Sequence, residues 1–300
     1  MIVLPQLIML FSIAGVGLLL RKRGVMGDPV IKGISDIVTL ATNPALLLMV
    51  TQHEYTTGTL VSFLHVLWMT TAAMAVTMAA VYIACRGQSE KLRPVVALLS
   101  AMPNAGFMGL PIIQAVYGDL GTLYLAAVIV AFNLVVWTLG IGLFDRKGIS
   151  LRGMFNPGLL AAFVGTALFL MRIDLPDVLN SSLNTLGSMN TPLAMLILGA
   201  RMAGFAPKAL LNWKTALVSL VKLIAMPLIT LGLARLFNLD PVAAGAMTLA
   251  IAMPSAIMSQ ILAEQYDRDA LFAAQEISFT SLLSIATIPI ITAILLALRV

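Results

Sequence analysis

The chain has 300 residues, of which 60% are apolar and only 10% charged, and its mean hydropathy is +1.01. A water-soluble domain carries about a quarter charged residues, so this composition excludes water as the main solvent and leaves no stretch for a separate soluble domain. The net charge is +5 and Cys85 is the single cysteine, which excludes an intrachain disulfide and a thiolate metal centre.

Apolar runs between polar breaks predict an all-α membrane protein of ten transmembrane helices, near residues 3–20, 31–51, 59–85, 94–117, 120–144, 157–172, 178–203, 213–237, 241–265 and 269–298. The first run, Val3 to Leu20, reads as a retained helix. Arg21, Lys22 and Arg23 follow it, whereas a secretory signal carries its charge ahead of the apolar run. Basic residues fall on alternate connections: Arg21, Lys22, Arg23 and Lys32, then Arg86, Lys91 and Arg93, then Arg146, Lys147 and Arg152, then Arg201, Lys208 and Lys214, then Arg268. The other side has only Arg172, Arg235 and Arg299. Since basic loops stay in the cytoplasm, both termini are expected outward in the cell inner (plasma) membrane. The positive charge then reflects topology, and no nucleic-acid partner is implied.

Two pairs of segments repeat. ISDIVTLATNPALLLM (Ile34 to Met49) in helix two returns as SLNTLGSMNTPLAMLI (Ser182 to Ile197) in helix seven, with Pro192 lying 148 residues after Pro44. SAMPNAGFMGLPIIQAVYGD (Ser100 to Asp119) in helix four is answered by IAMPSAIMSQILAEQYD (Ile251 to Asp267) in helix nine, and Pro254 lies 151 residues after Pro103. The prolines of the first copy are 59 residues apart and those of the second 62, so one five-helix unit is duplicated. Residues 1–144 form the first repeat, 145–156 a short cytoplasmic connector and 157–300 the second repeat. Five crossings are an odd number, so the second copy is inverted, an arrangement typical of secondary transporters.

A proline inside a helix removes one hydrogen bond and clashes with the preceding turn, and hydrocarbon offers no water in repair. Pro103, Gly106, Gly109 and Pro111 crowd helix four, and Pro254 is followed by Ser255, Ser259 and Gln260 in helix nine. Both helices are therefore expected to be broken and to cross near the bilayer midplane. Free amides at new half-helix N-termini suit a carboxylate, and Asn104 and Ser255, each next to a proline, add side-chain donors. Asn43, Asn190 and Thr191 place further polar groups beside Pro44 and Pro192, either as ligands or as interhelical hydrogen bonds.

Two charges fall within the spans, Lys222 in helix eight and Glu276 in helix ten. Ionisable groups in a membrane are expensive and usually functional, and the similar estimated depth of these two predicts that they pair in at least one state. His53 and His65 read as a loop residue and a shallow residue of helix three. Neither H-E-x-x-H nor G-x-S-x-G occurs, and no enzyme activity, cofactor or metal is expected. The lack of G-x-x-x-x-G-K-[ST] argues against a primary pump.

The ten helices, the five-plus-five repeat and the proline breaks, with AMPNAGFMGLP, AMPSAIMSQILAEQY and KLIAMPLITL (Lys222 to Leu231), together resemble the auxin efflux carrier family over essentially the whole chain. The resemblance implies the crossover fold shared with bile-acid symporters and sodium/proton antiporters, in which a core of helices three to five and eight to ten moves against a scaffold of helices one, two, six and seven. It also implies Pro103 and Pro254 as crossover prolines and Asn104 as a polar crossover residue. Plant auxin exporters have a long hydrophilic loop between the halves. Here Asp145 to Asn156 is short, as in bacterial relatives associated with malonate and other dicarboxylates. The expectation is a secondary transporter of a small organic anion working by alternating access in a lipid bilayer. Coupling to a proton, to sodium or to membrane potential stays open, as does assembly as a homodimer. The alternatives are a cation/proton antiporter, which would want paired acids at the crossover, and a membrane anion receptor that does not transport.

Overall fold

The structure is a computed structural model that describes residues 3–50, 56–144, 157–203 and 212–300. The expected connector at 145–156 and His53 lie outside the described residues. Among the described residues the chain is helical, and its only β-type pairing is an isolated bridge.

The helices are α1 (Val3–Lys22), α2 (Asp28–Ile37), α3 (Asn43–Val50), α4 (Thr57–Ala84), α5 (Arg93–Ala101), α6 (Leu110–Val135), α7 (Ile141–Phe144) and α8 (Pro157–Met171). They continue with α9 (Asp177–Ser188), α10 (Asn190–Met202), α11 (Trp213–Leu220), α12 (Met226–Leu236), α13 (Pro241–Ile251), α14 (Met258–Gln265) and α15 (Ala270–Ala297). Among the described residues five stretches are long and apolar enough to cross a membrane: Asp28–Met49, Thr57–Ala84, Ile112–Phe144, Trp213–Leu236 and Ala270–Ala297. The outer surface agrees with that solvent. Val76 and Leu271 are 67% and 71% exposed, while Asn190, Lys222 and Glu276 are fully buried, the reverse of what water imposes.

Proline explains three of the irregularities. π-Helical turns at Val38–Thr42, Ala105–Gly109 and Val221–Ala225 each end two residues before a proline, namely Pro44, Pro111 and Pro227. The widened turn accommodates a ring that would otherwise strike the carbonyl four residues back. A further π turn, Val136–Gly140, joins α6 to α7. Helix α6 bends sharply at Gly118, whose φ of 64° lies in the left-handed region open to glycine. That bend falls between predicted helices four and five.

Helices α1, α2, α3, α8, α9 and α10 pack mainly among themselves, with α1 along α10 and α3 against α8 and α9. A Cβ at Gly17 would fall on the Leu196 carbonyl and one at Gly199 on the Ala14 carbonyl, so these glycines let α1 and α10 approach backbone to backbone. Helices α4, α5, α6 and α11 to α15 form a second group, in which α6 packs on α4 and α13, and α5 on α4, α11 and α15. Fewer contacts join the groups, among them those of α10 with the π turn at Ala105–Gly109 and with α15. Caps fix several helix starts: Thr56 with Thr59 at α4, Asn212 at α11, Asp240 at α13 and Asp269 at α15.

Candidate functional site

The two proline breaks lie together. Met102, which precedes Pro103, is extended (φ −90°, ψ 117°) and ends α5, as the steric clash with the proline ring demands. Residues 252–257 separate α13 from α14. Pro103 and Ser255 form an antiparallel bridge: Asn104 N–H donates to Pro254 O at 2.7 Å, and Ala256 N–H donates to Met102 O at 3.0 Å. Each interrupted helix thus supplies the backbone partners that the other lost, which is how irregular backbone persists away from water.

This arrangement engages three of the amides at the breaks. Those of Asn104, Ser255 and Ala256 are donated within the protein, Ser255 N–H going to Thr280 Oγ1 at 3.3 Å. The Ser255 hydroxyl donates to Leu99 O at 2.9 Å. Thr280 in turn bonds back to the Glu276 and Ile277 carbonyls. The side chain of Asn104 is 4% exposed, and its Nδ2 has no partner among the described residues. Next to it Gly106 leaves room, since a Cβ there would meet nothing nearer than Ile129 Cδ1 at 4.0 Å.

At the other proline pair Thr42, in its π turn, donates to Asn190 Oδ1 at 3.0 Å. The two residues are 148 apart, the repeat offset itself, so equivalent positions of the two copies touch. Asn190 Nδ2 and Asn43 Oδ1 are buried without a partner among the described residues, and Thr191 is half-buried at the start of α10.

Lys222 and Glu276 are both 0% exposed, but they do not pair here. Lys222 Nζ donates to Ile251 O at 2.6 Å, a carbonyl at the C-terminus of α13 where helix-end carbonyls lack partners and the dipole favours a cation. The Glu276 carboxylate faces hydroxyls of α11 instead, with Ser219 Oγ donating to Oε1 at 3.2 Å and Thr215 beside it. Glu276 Oε2 and Thr215 Oγ1 complete no geometrically sound hydrogen bond. In this conformation the two charges are therefore held apart, each by its own partner. Ser219 precedes the π turn and faces α15, whereas Lys222 lies inside that turn and points to α13.

Three contributors escaped the sequence reading: Thr280 and Leu99, which hold the second break, and Arg201, read there as a loop charge. Arg201 is half-buried in the last turn of α10, and its Nη1 donates to Gln260 Oε1 at 2.6 Å. The charge in that segment was the only signal that pointed to it.

Paired helix breaks with buried polar groups, inside a lipid-compatible exterior, suit a membrane transporter. The family profile described as "Membrane transport protein" matches residues 2–153 and 146–292. The chain belongs to that family, the auxin efflux carrier family. It is similar to a protein of Methanothermobacter thermautotrophicus called an uncharacterized transporter, 23% identical over 93% of this chain and 94% of that one. It is also similar to the uncharacterized transporter YfdV of Escherichia coli K12, 26% identical over 58% of this chain and 59% of YfdV.

Proposed function

We propose that the protein is a secondary transporter of a small organic anion, a mono- or dicarboxylate, working by alternating access. In this reading ten spans form two inverted five-helix repeats, α5–α6 and α13–α14 are the crossing broken helices, and the group containing them moves against the group built on α1 and α10. The observation that carries it is the Asn104 amide, buried at the bridged break and without a partner. A buried donor left unsatisfied costs about 1–3 kcal/mol, and a carboxylate oxygen would relieve that cost. Asn190, Asn43 and Thr191 supply polar groups on the facing helices. Ser255, whose donors are both engaged, shapes the break. Lys222 and Glu276 are the charges available for coupling to a proton, to sodium or to the membrane potential.

A cation/proton antiporter on the same scaffold would want acids at the break, and residues 102–109 and 252–257 contain none. The test is uptake of radiolabelled succinate and benzoate into proteoliposomes, comparing the wild-type protein with Asn104→Ala. Saturable uptake lost in the variant is expected. Saturable binding without uptake would instead make the protein a receptor. Residence in the inner membrane with both termini outward is part of the same reading. Cysteines at Gly148 and Thr57, in a protein lacking Cys85, are expected to react with an impermeant reagent from opposite sides.

A further inference from the structure

Arg201 lies where the two helix groups meet. Its neighbours on α10, Ile197 and Ala200, pack in a small apolar cluster that Phe107 of the first break also joins. A guanidinium at such a place needs acceptors, and it carries five donors in a fixed fork. Among the described residues it makes one hydrogen bond, from Nη1 to the amide oxygen of Gln260 on α14. Gln260 Nε2 then donates to Glu264 Oε1 at 2.7 Å. A neutral amide thus stands between a cation and a carboxylate, and Arg201 keeps its charge without a direct ion pair. Three other cations are held differently: Arg21 pairs with Asp28, Lys91 with Asp267, and Lys222 caps α13.

We propose that Arg201 is a binding residue for the transported anion, its guanidinium exchanging the single Gln260 acceptor for a substrate carboxylate that takes two of its donors. Bidentate guanidinium–carboxylate pairs are stronger and more directional than a bond to a neutral amide, so the exchange is favourable once the anion arrives. Binding of the anion then replaces the direct Arg201–Gln260 tie between α10 and α14. The inference rests on the anion-transport reading and adds a residue to its site.

The test is a ligand-induced thermal shift of the purified protein titrated with acetate, succinate and benzoate, since a ligand that binds only the folded state raises apparent stability. Arg201→Gln is expected to weaken binding about tenfold to a hundredfold, and Arg201→Lys to recover part of that loss. Gln260→Ala is expected to bind as tightly as wild type or more tightly, because the guanidinium is released. Unchanged affinity in a folded Arg201→Gln protein, with affinity lost in Asn104→Ala, overturns the proposal and leaves the transport reading standing. Equal losses in Arg201→Gln and Gln260→Ala overturn it too, because the pair is then a structural tie. If Arg201→Gln does not fold, Arg201→Lys and Gln260→Ala carry the same decision. If no acid in the panel shifts the wild-type protein, the anion reading fails and this inference with it.

Discussion

At the first break Asn104 donates its backbone amide to Pro254 and keeps a buried side-chain amide without a partner. At the second, Ser255 places its amide on Thr280 and its hydroxyl on Leu99. The two breaks share a backbone solution, in which each stands in for the turn that a proline removed from the other, yet they differ in what is left over. The sequence repeat accounts for the shared part. The residue after each proline differs, one holding the structure and one leaving an unmet donor. Position in a repeat therefore predicts backbone geometry better than side-chain role.

The largest expected effect is on ligand affinity at the first break. Asn104→Ala should weaken anion binding by about 1.5–3 kcal/mol, the range for hydrogen bonds to charged groups, with little change in thermal stability because Nδ2 holds nothing in the unliganded protein. Titrated thermal shifts measure both quantities at once. A large fall in Tm with affinity intact would make Asn104 a structural residue like Ser255 and erase the contrast between the breaks.

Ser255→Ala should do the reverse. It leaves the Leu99 carbonyl without this donor in a buried site, at about 1–3 kcal/mol of stability, and Thr280→Val removes the acceptor of the Ser255 amide at a similar cost. Guanidinium or thermal unfolding in detergent checks both. Stability unchanged in both variants would show that water or a rearranged backbone replaces these bonds, and that the second break is looser than its geometry implies.

A smaller effect separates the two buried charges. Because Lys222 is bound to Ile251 and Glu276 to Ser219, the stability changes of Lys222→Met and Glu276→Gln should add in the double variant to within about 0.5 kcal/mol, as for residues without shared partners. Coupling well above that value would place the two charges in contact in another conformation, which is what their similar depth along the sequence suggests.

That last contrast shows where legibility ends. Apolar runs located the helices because lipid demands long unbroken stretches, and Pro103 and Pro254 located the breaks because each ring removes a helical hydrogen bond, whereas Pro289 lies inside the continuous helix α15. Depth along a helix was also readable, which is why Lys222 and Glu276 look like partners. Rotation about the helix was not. The π turn at Val221–Ala225 inserts an extra residue per turn, so Ser219 faces Glu276 and Lys222 points elsewhere. Thr280 and Leu99 were unreadable for a different reason, since they matter only through a break about 25 and 156 residues away in the chain. Arg201 ends a helix and so reads from the sequence as a loop charge, and only packing brings it to Gln260.

The smallest expected effect lies at the far ends of the same broken helices. Lys91, just before α5, bonds Asp267, just after α14, at 2.7 Å, and Asp269 N–H donates to Lys91 O. The Lys91 ammonium holds the Asp267 carboxyl below its ordinary range. A depressed carboxylate contributes stability above its unfolded pKa, near 3.9, and loses that contribution as pH falls through the lower folded value. Both side chains are open to solvent, at 61% and 91% exposure, so screening leaves the contribution slight. Asp267→Asn isolates the charge, because Asp267 has φ 50° and asparagine tolerates that conformation as well as aspartate does. At neutral pH and low salt the variant should melt marginally below wild type, with the difference vanishing in high salt and at a pH below the carboxylate range. A large, salt-insensitive loss would show instead that this tie, and not the bridge at Pro103 and Ser255, holds the two broken helices together.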